Sequence, residues 1–183
     1  MRFPLLDQLD LPCTFVRVIP GDLHPDGRRY LPQIVLRLAD AGAGSPVELR
    51  IVDRHHRVDL AQVGSTGSAK MVLLLSLFER IDPAAQLMLR AGEYERSDEP
   101  LASPEIVGRV TTVASWEHGI GQLAYETLYT ELALEIGSGS VGLRTSLTAP
   151  KIVDAIGTEQ VRAGDILRVW RSRIDILQFW AKS

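Results

Sequence analysis

The sequence predicts a mainly β chain of the α+β class, built as two related small barrel-like modules that each run β-β-β-α-β. Three observations predict it. Short runs of alternating apolar and polar residues recur along the chain, separated by Gly/Ser turns. An acidic stretch with two prolines, GEYERSDEPLASPE, divides the chain near its middle and lacks apolar periodicity. The phrases on either side of it read alike, YLPQIVLRLADAGAGSPVELRIV against LYTELALEIGSGSVGLRTSL. The expected organisation is a first module over residues 1–92, a linker over 93–104 and a second module over 105–183, related by internal duplication. Two copies fall short of the three or more that a solenoid needs.

In the first half, CTFVRVIP opens as a strand and runs into the loop GDLHPDGRR. Alternation then marks strands over residues 34–38 and 47–52, joined by a Gly/Ser turn. The Ser/Gly stretch VGSTGSAKM leads into an apolar, helix-like segment from about Ala69. In the second half, IVGRVTTVASW is the first strand, and His118 comes after it as His24 comes after the first strand of the other half. QLAYETLYTELALEI reads two ways. At 100° per residue Ala124, Tyr125, Leu128, Tyr129, Leu132 and Ile136 share a helical face, with Gly137 as a C-cap, whereas alternation from Thr130 reads as strand. The likeness of the halves favours strand for residues 130–136. A strand over 141–147 and a helix in TAPKIVDAIG complete the parallel.

Composition bounds the function. The chain has 183 residues, 45% of them hydrophobic and 23% charged, with net charge −3, which is the make-up of a globular protein. The single Cys13 excludes an intramolecular disulfide framework and a Cys-rich zinc site. The longest apolar run, residues 71–78, is far short of the roughly 20 residues that span a bilayer. Asp7 and Asp10 interrupt the N-terminus where a signal peptide needs an apolar stretch, so the expected compartment is the cytoplasm.

The candidate chemistry is sparse. Ser65, Thr66, Ser68 and Lys70 stand where the helix is expected to begin, and a helix start with a lysine attracts anions. The spacing is not that of a P-loop, and ordinary N-capping explains the Ser and Thr as well. GSGSVG matches a dinucleotide fingerprint literally but leads into the β-branched run VGLRTSL, so it reads as a hairpin turn. Asp22, His24 and Asp26 alternate as metal ligands do, yet Pro25-Asp26-Gly27 is a turn in its own right, and no metal is expected. Arg28 and Arg29 leave that loop. His55 and His56, between Arg54 and Arg57, form a basic knot suited to phosphate or to an exposed hairpin tip.

RHHRVDL and RSRIDIL echo each other as Arg, apolar, Asp, apolar, each after a strand-like stretch. They occupy different places in the two halves, so both read as hairpin continuations with Arg and Asp on one face of a strand. Near the C-terminus, RVWRSRIDILQFW interleaves Arg168, Arg171 and Arg173 with Trp170, Phe179 and Trp180. Such a surface suits stacking on single-stranded nucleic acid, or a protein hot spot.

VRAGDILRVWRSRIDIL, with its Gly-Asp turn and alternation around Leu167 and Val169, resembles the closing hairpin of an OB-type or similar small barrel. The resemblance lies at the level of the fold. It implies that binding, often of oligonucleotides, is a natural use of the scaffold.

The sequence therefore points to a non-catalytic interaction or assembly module, with a protein partner, no cofactor and room for oligomer formation. It would bind through the Arg/aromatic C-terminal hairpin (Arg168, Trp170, Arg171, Arg173) and the His/Arg loops. Single-stranded nucleic-acid binding is one alternative, although the acidic total and only three Lys oppose it. A small phosphometabolite binder or enzyme built on Ser65, Thr66, Ser68, Lys70, His55 and His56 is the other.

Overall fold

The computed structural model describes residues 4–38, 46–74, 76–90, 104–117, 128–145 and 161–182, without the side chains of 115–117, 128 and 129. The chain is mainly β. Its strands are β1 (Leu11–Ile19), β2 (Gln33–Leu38), β3 (Val47–Val52), β4 (Thr66–Leu74), β5 (Leu77–Arg80), β6 (Met88–Arg90), β7 (Glu105–Glu117), β8 (Leu128–Glu135), β9 (Ser140–Thr145), β10 (Ile166–Trp170) and β11 (Arg173–Ala181). Two short 3-10 turns, Leu6–Gln8 and Leu60–Gln62, are the only helical elements among the described residues. No helix among them is long and apolar enough to cross a membrane.

The eleven strands among the described residues join one open sheet, with nine in the order β3-β2-β1-β4-β9-β8-β7-β10-β5, β11 on β4 and β6 on β7. The order third-second-first-fourth occurs twice, as β3-β2-β1-β4 and as β9-β8-β7-β10. In each case it is the spatial order of a Greek key. β4 is the hub. Its first residues pair antiparallel with β1, its last three pair parallel with β9, and β11 lines its other edge throughout. β1 and β9 meet end to end on β4, where the Ser140 N–H donates to Asp10 O at 2.7 Å. That close meeting needs Gly139, because a Cβ there would stand 2.4 Å from Asp10 O. β11 also lies against β3, so the sheet curls back on itself.

Two apolar clusters explain the curl. The larger gathers the inward residues of every strand of the path, among them Phe15, Leu36, Leu49, Met71, Leu132, Leu143, Val169 and Ile176. The smaller lies on the opposite face of β4 and β8, where Leu5, Leu6 and Leu9 of the N-terminal turn cover Val72, Leu74 and Ala133. A strand buried on both faces reads as a continuous apolar run rather than an alternating one.

That is why the helix expected from Ala69 is instead strand β4. With neighbours on both edges and apolar cover on both faces, AKMVLL satisfies its backbone and buries its side chains better in the sheet than in an isolated helix. The strands expected over 34–38, 47–52, 130–136 and 141–147 appear as β2, β3, β8 and β9, within a few residues at their ends. The expected helix in TAPKIVDAIG, the first part of QLAYETLYTELALEI, His118 and the acidic linker short of Pro104 lie outside the described residues.

Residues 166–181 are two consecutive strands, but they do not form a hairpin. β10 inserts between β5 and β7, while β11 departs to β4. Arg171, in the left-handed region at φ 53°, turns the chain between them. The two echoing phrases also part company. Arg173 and Asp175 share one face of β11, with Nε 3.1 Å from Oδ1. Arg57-Val58-Asp59 is a turn leading into Leu60–Gln62, not a strand.

Candidate functional site

β1, β2 and β3 run antiparallel, and Gln33 is the register partner of both Ile19 and Val52. The β1–β2 loop and the turn after β3 therefore leave the sheet at the same end. This register brings Arg28 and Arg29 to the end of the sheet that carries Arg54, His55, His56 and Arg57.

Each loop is built by its own acids. In the first, Asp26 Oδ1 accepts from Arg28 N at 2.9 Å and lies 2.8 Å from His24 Nδ1. Tyr30 N–H donates to Asp22 O at 2.9 Å, and the Tyr30 ring meets His24 edge-on at 5.5 Å. Asp22, His24 and Asp26 thus shape a turn. Among the described residues no three His, Cys, Asp or Glu side chains gather as a metal site. In the second loop the buried Asp53 carboxylate accepts from Arg57 N and from Val58 N, both at 2.9 Å, and Asp59 caps Ala61 N at 3.0 Å.

The carboxylates Asp26, Asp53 and Asp59 are spent on backbone amides, and Asp26 on His24 as well, while the basic side chains of Arg28, Arg54, His56 and Arg57 point outward. Arg28, Arg54, His56 and Arg57 are exposed, and among the described residues none has a carboxylate within ion-pair distance. Arg29 reaches back to Gly21 O at 3.3 Å. Leu23, Tyr30 and Leu31 stand out beside them, 62%, 60% and 39% exposed. Leu60 and Val63 are exposed in the β3–β4 connection. Exposed apolar side chains interleaved with Arg are the make-up of a docking surface.

His55 is tied to a buried carboxylate. Its Nε2 lies 3.7 Å from Asp175 Oδ2, and Asp175 is 2% exposed. The sequence reading missed Asp175 as a partner of His55, because the two meet only when β3 comes back against β11. It also missed Leu23, Tyr30 and Leu31, which no charge or motif marks.

The residues Ser65, Thr66, Ser68 and Lys70 do not form an anion cradle, since no helix starts there. Thr66, Ser68 and Lys70 lie on β4, whose amides belong to the sheet. Ser68 Oγ donates to Asp10 Oδ1. Lys70 Nζ donates to Leu6 O at 2.9 Å, lies 3.7 Å from Asp7 Oδ1 and sits over the Trp180 ring at 5.6 Å. It is a clasp for the N-terminal turn, and none of its contacts is with His55 or His56.

The Arg/aromatic segment is likewise dispersed. Arg168 Nε donates to Glu105 Oε1 at 2.7 Å, its Nη1 donates to Glu79 Oε1 at 3.3 Å, and its guanidinium lies 5.4 Å from the Trp170 ring centre. The bond from Arg90 Nε to Glu105 Oε2 at 2.9 Å extends this ladder across β5, β10, β7 and β6. Burial would raise the Glu105 carboxyl, but the bonds from Arg90 and Arg168 outweigh it and hold it below the usual carboxylate range. The bond that Arg168 donates to Glu105 in turn raises Arg168 further. Phe179 is buried, edge-on to Phe15 at 5.7 Å. Arg171 is exposed at its turn, and Arg173 is held by Asp175.

No family model, no curated protein and no solved structure matches this chain.

Proposed function

We propose that this chain is a non-catalytic interaction module that docks an acidic surface of a partner protein on the loop end of β1, β2 and β3. One observation carries the reading. At that end three carboxylates are consumed by backbone amides, which leaves Arg28, Arg54, His56 and Arg57 facing solvent on a chain whose net charge is −3. Electrostatic complementarity of this kind steers encounter, and the neighbouring Leu23, Tyr30 and Leu31 supply apolar anchors. Those anchors favour a protein over a nucleic acid, for which Arg168 is in any case already paired with Glu79 and Glu105.

The scaffold reading belongs with this proposal. The chain is read as two related barrel-like modules of OB type, residues 1–92 and 105–183. The twice-used strand order supports it, as does the contact of β11 with β3, which brings together the two ends of the run β11-β4-β1-β2-β3.

Photo-crosslinking tests the function. A photoreactive side chain in place of Tyr30 should yield a discrete protein adduct in cells, absent when the probe replaces Val113 on β7. The adduct should fall at least tenfold in an Arg28→Glu/Arg54→Glu/Arg57→Glu variant. The same adducts from both positions would sink the reading. Capture of nucleic acid instead of protein would sink the choice of partner.

A further inference from the structure

We infer that the two halves of the chain are copies of one unit that have exchanged their fifth strands, so that the molecule is a strand-swapped dimer within a single chain. The inference rests on reading the chain as two related modules, and adds to it the partner that each copy requires, a second copy of the same unit.

The halves match in detail as well as in strand order. In each, the first strand carries a bulge against the second, between Phe15 and Arg17 in β1 and between Val110 and Thr112 in β7. At each bulge the chain entering the fourth strand is bound in the same way. Phe15 N–H donates to Ser65 O at 2.9 Å, and Gly64 N–H donates to Phe15 O at 2.7 Å. Val110 N–H donates to Asp165 O at 2.8 Å, and Gly164 N–H donates to Val110 O at 2.8 Å. Gly64 and Gly164 both take a left-handed φ, 89° and 97°. The motif of bulge, glycine turn and fourth strand is therefore built twice from unlike sequences, which chance pairing would not produce.

Beyond the fourth strand the two halves are reciprocal. β5 and β11 each come next after a fourth strand, with Ser76 and Ser172 just before them. A strand leaving so short a turn ordinarily folds back on the strand it has left. Neither does so. β5 pairs with β10 of the other half, starting at Leu77 opposite Trp170, and β11 pairs with β4, starting at Arg173 opposite Leu74. Each fifth strand thus begins beside the end of the other copy's fourth strand. The two chain segments cross where Ser76 Oγ and Ser172 Oγ stand 2.7 Å apart. Exchange of an identical element between protomers is domain swapping, here between two protomers joined in one chain.

Hydrogen exchange on the full chain tests the assignment. Ile176→Ala in β11 should raise exchange in residues 66–74 at least tenfold more than in 166–170, and Phe78→Ala in β5 should do the reverse. Loosening confined to the half that carries each substitution would overturn the exchange. Should either variant fail to fold, Ser76→Cys/Ser172→Cys serves in its place. Under mild oxidation it should form a disulfide within a monomeric chain. A disulfide formed only between chains, or none, overturns the crossing. Such a failure would leave two copies that each keep their own fifth strand. The two-copy reading fails separately, if Gly64→Ala and Gly164→Ala at the matched turns change stability by unlike amounts.

Discussion

His55 Nε2 lies 3.7 Å from the buried Asp175 Oδ2, which ties the exposed basic turn after β3 to a strand made more than a hundred residues later. The carboxylate is almost wholly desolvated, whereas the imidazole and the Arg173 guanidinium are partly in water. Loss of the two partners should therefore be unequal. His55→Ala should cost less than about 1 kcal/mol, as exposed ion pairs do. Asp175→Ala removes the buried partner of Arg173 and should cost about 2–3 kcal/mol. Urea unfolding of both variants checks this, and equal costs would show that the buried carboxylate anchors nothing.

Cys13 should be inert in the native protein. Burial pushes its thiol up to about 12, with the Asp10 charge adding to the rise against the bond from Ala69. An alkylating reagent at pH 8 should label it only at the rate of unfolding, and the label should appear at once in urea. The unfolded thiol ionises near 9.0 while the folded one stays neutral, so this group lowers stability as pH rises from about 9 to about 12. Cys13→Ala should flatten the alkaline side of the stability profile.

Glu105 should make the contacts of β7 with β6 and β10 sensitive to acid. Its carboxyl is held below the ordinary 4.5 although burial opposes this, because Arg90 and Arg168 bond the charged form. A depressed carboxylate contributes stability above its unfolded value and loses it as pH falls through the folded one. Thermal unfolding at pH 6 and at pH 3.5 should differ more in the wild type than in Glu105→Gln. The difference should shrink in high salt, since Arg168 and Glu79 are substantially exposed.

The glycines divide into two classes. A Cβ at Gly64 or Gly164 meets nothing within 4 Å, so alanine there costs only the left-handed φ, about 1 kcal/mol at each. A Cβ at Gly67 would stand 2.0 Å from Trp180 O, between β4 and β11. Gly67→Ala should therefore prise β11 from β4 and cost about 3 kcal/mol or more. Denaturant midpoints of the three variants test the ranking.

Much of the β content was legible in the sequence. Alternation located β2, β3, β8 and β9 because each turns one face to the larger core, and polar residues such as Arg37, Glu48, Glu131 and Arg144 on the other face mark the period even where that face is also covered. The same logic failed at residues 69–74. β4 is covered on both faces, so its apolar run carries no period and reads as a helix. The C-terminal segment misled for another reason. Its composition suits a hairpin, but which edge a strand joins depends on distant partners, and nothing local in RVWRSRIDIL names β4. At the loop end, Arg28, Arg29, His55 and His56 were legible as basic residues. That they share one end of the sheet, and that Asp26, Asp53 and Asp59 are turned to backbone amides instead of to them, depended on register and on loop geometry.

The edge of β4 that receives β11 has a consequence for how the protein is made. Synthesis proceeds from the N-terminus, so every other described strand is synthesised before β11. Until then β4 presents a long unpaired edge flanked by Met71, Val72 and Leu73, which is a template for pairing with any nascent chain nearby. The first half cannot finish folding ahead of the second, and its pairings span most of the chain, which slows closure. Translation errors that end the chain before residue 173 would strip β4 of that neighbour. They would release a product that quality-control proteases and chaperones should recognise as unfinished, however complete its first ten strands are.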